Sequence, residues 1–222
     1  MLIPKSTFLF FDSLRKNNNR DWFYKNKSIF KDLEFEIKLF GDEIKNRLNN
    51  SDFIDRFKLF RVYRDVRFSK DKTPYKTHFG LYWNRTKPQY RGGYYLHISP
   101  KNSFLACGFW DPNPKDLKRI RQELLYDAEA LREIIAQKEI YSTWGSLQGN
   151  ELKTAPRNFD KNHPDIDLIR KKQFVFKISF SDNEVCDKDF INKVEEAFLL
   201  IRPFFDYMTE ILTTDENGES II

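Results

Sequence analysis

Apolar residues recur along the chain at two different spacings, and the changes of spacing mark out the elements. Phe8, Phe11 and Leu14 lie three apart and predict a short helix, with Ser6 placed to cap it and the Asn17-Asn18-Asn19 run to stop it. Between residues 20 and 48, Phe23, Phe30, Leu33, Ile37, Phe40, Ile44 and Leu48 form one stripe at three- and four-residue steps. That stripe predicts a single long helix lying on a sheet. The pattern then turns strand-like. Residues 57–63 and 79–83 are rich in aromatic and β-branched side chains, and the stretch between them is polar and broken by Pro74. Residues 93–99 and 103–110 predict a hairpin joined at Pro100-Lys101-Asn102.

Helical spacing returns after Asn113, which is placed to cap a helix with Pro114 at its first position and Leu117, Ile120 and Leu124 inward. A further helix is expected from Asp127, with Leu131, Ile134 and Ile135 inward. Residues 141–157 contain Gly145, Gly149 and Pro156 and read as irregular, and a short helix is expected from His163-Pro164 through Lys171. Residues 173–180 alternate, with Phe174, Phe176, Ile178 and Phe180 on one side, and predict a strand. Asp187 is placed to cap a last helix carrying Phe190, Val194, Phe198 and Ile201, kinked at Pro203. The order of elements lacks long crossovers between strands. It predicts an α+β fold with one domain over residues 1–212, a mainly antiparallel sheet and helices on one face. The polar tail, 213–222, is expected to fray.

Composition narrows the class. A chain of 222 residues fits one domain, and no apolar run reaches the ~20 residues of a membrane-spanning helix. Residues 1–11 hold one lysine and no small-residue cleavage site, so no signal peptide is expected. Two cysteines, Cys107 and Cys186, do not make a disulfide framework. The expected location is the cytoplasm. Phe and Lys are abundant and Ala occurs six times, the bias of AT-rich codons, so arginine is the more informative cation. The net charge of +5 is unevenly distributed: residues 56–91 carry eleven Lys/Arg and two Asp/Glu, net +9, and the rest is net −4.

That basic segment holds the densest candidate chemistry. Arg61, Arg64, Arg67, Lys70, Lys72 and Lys76 supply positive charge, and Ser69 adds a neutral donor. Asp65 and Asp71 can hold one guanidinium each and leave the other cations for a phosphate, sulfate or carboxylate. His78 closes the run as a proton-transfer candidate. The bland alternative is an Arg-Asp network that ties a loop to the sheet. A second cluster holds Arg157, Asp160, Lys161, His163, Asp165, Asp167 and Arg170. Arg157 is a further anion contact there, with Asp160 or His163 as general acid/base. The bland reading is that His163 caps the following helix, with Asp165 and Asp167 facing the helix dipole. Three histidines without HxxxH or HExxH spacing assign no metal, and no cofactor is indicated.

The run FRVYRDVRFSKDKTPYKTHFG (60–80), with GFWDPNPKDLKRIRQEL (108–124) and LKTAPRNFDKNHPDIDLIRKKQF (152–174), resembles the pattern of the domain-of-unknown-function 2461 family. The resemblance covers most of the chain in one collinear order. It implies that Arg121, Asp165 and Arg170 belong to the same pattern as the candidates above, and it implies no particular activity, substrate or cofactor. Asn158 stands where the pattern has glycine. Three functions follow in order of preference. The first is a pocket that binds an anionic small molecule and, if the protein is an enzyme, acts on it. It requires the two polar clusters to converge. The second is a nucleic-acid-binding module using aromatics interleaved with the basic residues. The third is a structural or interaction protein whose arginines are all satisfied internally. Oligomeric state is left open.

Overall fold

The computed structural model describes residues 2–215 and 217–222; Met1 and Glu216 lie outside the described residues. Ten helices and five strands follow one another along the described chain, four of the strands in succession. They run α1 (Ser6–Lys16), α2 (Arg20–Lys25), α3 (Lys27–Leu48), β1 (Ile54–Leu59), β2 (Phe79–Arg85), β3 (Gly93–Ile98) and β4 (Ser103–Phe109). Then come α4 (Pro114–Tyr126), α5 (Glu129–Ala136), α6 (Lys138–Trp144), α7 (Ile166–Ile169), β5 (Phe174–Phe180), α8 (Asp182–Val185), α9 (Phe190–Leu200) and α10 (Arg202–Thr213). The strands form one antiparallel sheet in the order β1-β2-β3-β4-β5, the α+β architecture expected. Contacts divide the chain into two compact units. The first is Met1–Trp83, Tyr95–Leu105 and Ser179–Glu196; the second is Asn84–Tyr94, Ala106–Ile178 and Ala197–Ile222. Strands β2 to β5 each run from one unit into the other.

In the first unit α1 and α3 cover one sheet face. Phe11 and Phe30 meet Phe79 at 4.9 and 5.6 Å between ring centres. Gly41 of α3 makes room for the Phe57 ring, which lies 2.0 Å from where a Cβ would be, and its carbonyl accepts from Trp83 Nε1 at 2.9 Å. Burial alternates along the strands as the two-residue pleat requires: Leu81, Trp83, Leu96, Ile98 and Leu105 are buried, whereas Tyr82, Tyr95, His97 and Phe104 are half-exposed. The first set faces the helices, and the second lies on the open side.

In the second unit Tyr94 packs on Phe198 and Phe205, and Trp144 Nε1 donates to the Ala197 carbonyl at 3.1 Å. Arg85 is 1% exposed, its guanidinium 4.6 Å from the Phe205 ring centre and 5.1 Å from that of Tyr90. A buried cation there is held by ring faces as well as by hydrogen bonds to Arg91 O and Thr209 Oγ1.

Several boundaries differ from those expected. The long helix breaks at Asn26, whose side chain donates back to Trp22 O at 2.8 Å and leaves the helical backbone at φ −107°, ψ 12°. Asn19 caps the short piece by accepting from Trp22 N at 2.9 Å. Lys5, not Ser6, occupies the cap of α1. The first strand runs from Ile54 to Leu59 rather than over 57–63, because a shift in pairing intervenes between Phe60–Gly80 and Val62–Lys76. Helix α6 runs on through Trp144, into the start of the stretch 141–157 expected to be irregular. A short helix at Asp182 starts from a Ser181–Glu184 capping box. The kink expected at Pro203 is a full break, with Ile201 between α9 and α10. Past Thr213, Asp215 Oδ1 accepts from Asn217 N and Glu219 N, and Thr214 bridges Ser220, so the described tail residues turn back on themselves.

Candidate functional site

The segment between β1 and β2 is tied down by its own charges. Arg64 Nη1 donates to Asp71 Oδ2 at 2.6 Å and to Thr73 O at 3.0 Å, and also reaches Thr73 Oγ1. Asp71 Oδ1 accepts from Thr73 N at 2.9 Å, and the Thr73 bonds, with Arg64 behind them, hold the Asp71 carboxyl below its ordinary pKa. Asp65 receives Arg67 through two donors, Nε at 3.0 Å and Nη2 at 2.6 Å, and that fork lowers its pKa. Lys72 Nζ closes the loop onto Val66 O at 2.9 Å. Arg67 and Lys72 are therefore taken up by the loop, and so is the Nη1 edge of Arg64. Ser69 and Lys70 sit on that loop, with Lys70 exposed.

Arg61 and Lys76 are different. Neither forms an ion pair among the described residues, although Arg61 is near enough to Asp65 to help hold its carboxyl ionised. Lys76 is half-buried, and its pKa is lowered by desolvation first, then by Arg61 and Lys58. Lys58 also forms no ion pair among the described residues. It lies two residues before Phe60 and so shares its strand face; Lys58 Nζ and Lys76 Nζ stand 5.0 and 5.5 Å from the Phe60 ring centre. Alternation alone could have singled out Lys58, which sequence reasoning missed.

Beside these cations the open sheet face is lined by rings. His78 and His97 approach to 4.2 Å between ring centres, and His97 stacks on Phe104 at 4.7 Å with 10° between planes. Tyr95 Oη lies 3.0 Å from His97 Nδ1. Gly80 makes this possible: a Cβ there would come within 2.8 Å of Tyr95 Oη and 3.2 Å of the Phe60 ring. Desolvation, with Lys76 adding repulsion, pushes the His78 pKa down from 6.5 to about 4. Desolvation pushes the Tyr95 hydroxyl up to about 12. At neutral pH the face thus presents a neutral imidazole and a protonated phenol next to three cations.

The second cluster lies in the other unit and is occupied with structure. Asp160 Oδ1 accepts from Asn162 N at 2.9 Å, and His163 Nδ1 accepts from Asp165 N at 3.1 Å in the turn before α7, whose cap is Asp165 and not His163 as expected. Arg132 takes Asp165 and Asp167 at 2.6 and 2.7 Å. Arg170 donates to Leu152 O and Glu151. Arg121 donates to Ile169 O and Lys171 O at 2.9 and 3.0 Å. Gly108, at φ +116°, lets the Phe174 carbonyl pass 2.1 Å from where a Cβ would stand. The two later sequence motifs are thereby laced to each other. Arg157 is exposed on a turn whose next residue, Asn158, has φ +70°, which is why glycine suits that place. Asp160 and His163, the two acid/base candidates, each have a polar atom engaged in these turns.

The family model described as Conserved hypothetical protein (DUF2461) matches residues 6–207. The chain belongs to that family. All three DUF2461-like segments fall within the match, and Arg61 and Lys76 lie in the first of them. No curated protein and no solved structure matches the chain. Among the described residues no helix is long and apolar enough to cross a membrane.

Proposed function

We propose that the protein binds a small phosphate- or carboxylate-bearing molecule at the edge of the open sheet face, with Lys58, Arg61 and Lys76 contacting the anion and His78 beside them as proton acceptor. The supporting observation is the group of three cations without an ion-pair partner among the described residues; desolvation and then repulsion by Arg61 and Lys58 lower the Lys76 pKa. A bound oxyanion relieves that repulsion, and a guanidinium fork beside two ammonium groups suits its oxygens. The imidazole at the same place is neutral, the form that takes a proton, and an anion bound beside it would raise its affinity for one. An internal Arg-Asp network accounts for Arg64 and Arg67 but leaves these three cations unexplained. Both cysteines are free thiols, in keeping with a reducing cytoplasm.

Calorimetric titration with inorganic phosphate and a panel of phosphorylated and carboxylated metabolites tests the reading. Arg61→Ala and Lys76→Met should each weaken binding about tenfold or more, while Arg67→Ala, whose partner is Asp65, should not. Absence of any anion binding at low salt, or an Arg61→Ala protein that binds as well as wild type, would overturn it.

A further inference from the structure

A second cationic feature lies elsewhere in the first unit. A groove of about 510 Å³ is lined by Arg20, Phe23, Tyr24 and Lys27 of helices α2 and α3 and by Tyr63, Arg64 and Tyr75 of the inter-strand segment. Its floor is stiff. Phe23 and Tyr75 stack at 4.0 Å with 18° between planes, and Asn18 exchanges two hydrogen bonds with the Tyr75 backbone, at 2.9 and 3.1 Å. Above that floor two rings are left open: Tyr63 is 50% and Tyr24 80% exposed. Tyr63 is held at its edge by Phe23 and Tyr75, with ring centres 6.3 and 5.5 Å away.

The charge lining the groove is three cations to one acid, Asp21. Arg20 and Lys27 are exposed and have no acidic partner among the described residues. Arg64 uses only Nη1 for Asp71 and Thr73, so Nε and Nη2 remain as donors. A pre-positioned aromatic face with cations around it selects a ligand that is planar at one end and anionic at the other.

We propose that this groove binds a nucleotide unit, its base stacked on Tyr63 and its phosphate held by Arg20, Lys27 and the free edge of Arg64. Stacking on an exposed ring and phosphate contact by flanking cations are the two components of single-strand recognition, and the same pair serves a free nucleoside monophosphate. The site is distinct from the anion site on the sheet face, and either can exist without the other.

Fluorescence anisotropy with a labelled ten-nucleotide single strand, competed by nucleoside monophosphates, tests the proposal and distinguishes the two sources. A strand site is displaced only by excess unlabelled strand; a mononucleotide site is displaced by the monophosphates at comparable concentration. In either case Tyr63→Ala should weaken binding about tenfold or more and Tyr63→Phe should not. Arg20→Ala, at an exposed position, should weaken binding and flatten its salt dependence. Lys58→Ala and Lys76→Met, which bear on the other site, should leave it unchanged. The proposal is overturned if wild type binds neither strand nor monophosphate at 50 mM salt, or if Arg20→Ala and Tyr63→Ala bind like wild type. Sensitivity to Lys76→Met but not to Arg20→Ala would overturn it too, by assigning the nucleotide to the sheet face.

Discussion

His78 should make the protein lose stability on mild acidification. In the unfolded chain its imidazole takes a proton near pH 6.5, whereas in the fold it resists until about 4, because it is desolvated and Lys76 repels the charge. Between those values the unfolded state binds a proton that the native state does not. Its contribution is therefore fully present above pH 6.5 and is lost as pH falls toward 4. At 1.36 kcal/mol per pKa unit the depression sets a ceiling of ~3 kcal/mol. The ring is half-exposed, so solvent screening reduces this to about 1.5–2 kcal/mol, or roughly 3–8 °C in Tm for a chain of this size. Urea unfolding at pH 7.5, 6.0, 5.0 and 4.5 measures the loss, and the same series on His78→Gln isolates it. The variant should lose less stability over this range by the amount above. Parallel profiles for the two proteins would refute the reasoning, as would an imidazole resonance for His78 that titrates near 6.5.

Two further predictions concern backbone positions. Gly80→Ala should cost ~1–3 kcal/mol in urea unfolding, since its Cβ displaces Tyr95 Oη from His97; adding Tyr95→Phe removes the nearest obstructing atom and should recover part of the loss, and strict additivity would contradict the packing account. At Asn158, where φ is +70°, Asn158→Ala should destabilise by ~1 kcal/mol and Asn158→Gly should stay within about 0.5 kcal/mol of wild type; equal effects of the two would show that the backbone geometry is not what matters there.

Elements whose signals are local were legible. Asn113 accepts from Asp116 N with Pro114 behind it, as expected, because a cap is decided by a side chain and the amides three residues on. The strand ending in Phe180 was recognised from its alternation, although burial is continuous over Phe174, Val175 and Phe176. The break at Asn26 was not legible: the apolar stripe runs on through Phe30, and only the side-chain bond back to Trp22 O ends the helix. The Ser181–Glu184 box was present in the residues and overlooked.

The candidate site divides in the same way. Composition and spacing alone located the charge in residues 56–91 and singled out Arg61, Lys76 and His78. They also singled out Arg64, Arg67 and Lys72, which look the same as a string and differ in space. Asp71, Asp65 and the Val66 carbonyl take up those three, whereas Arg61 and Lys76 form no ion pair among the described residues. Lys58 joined them through strand parity, and Tyr95 and His97 joined His78 through pairing with a strand some fifteen residues on. A residue's type and its neighbours in sequence determine which charges and caps are available. Which charges cancel, and which ionisable ring is desolvated, depends on groups brought close by pairing and packing, and those interactions fall off within a few ångströms, so only the tertiary structure decides them.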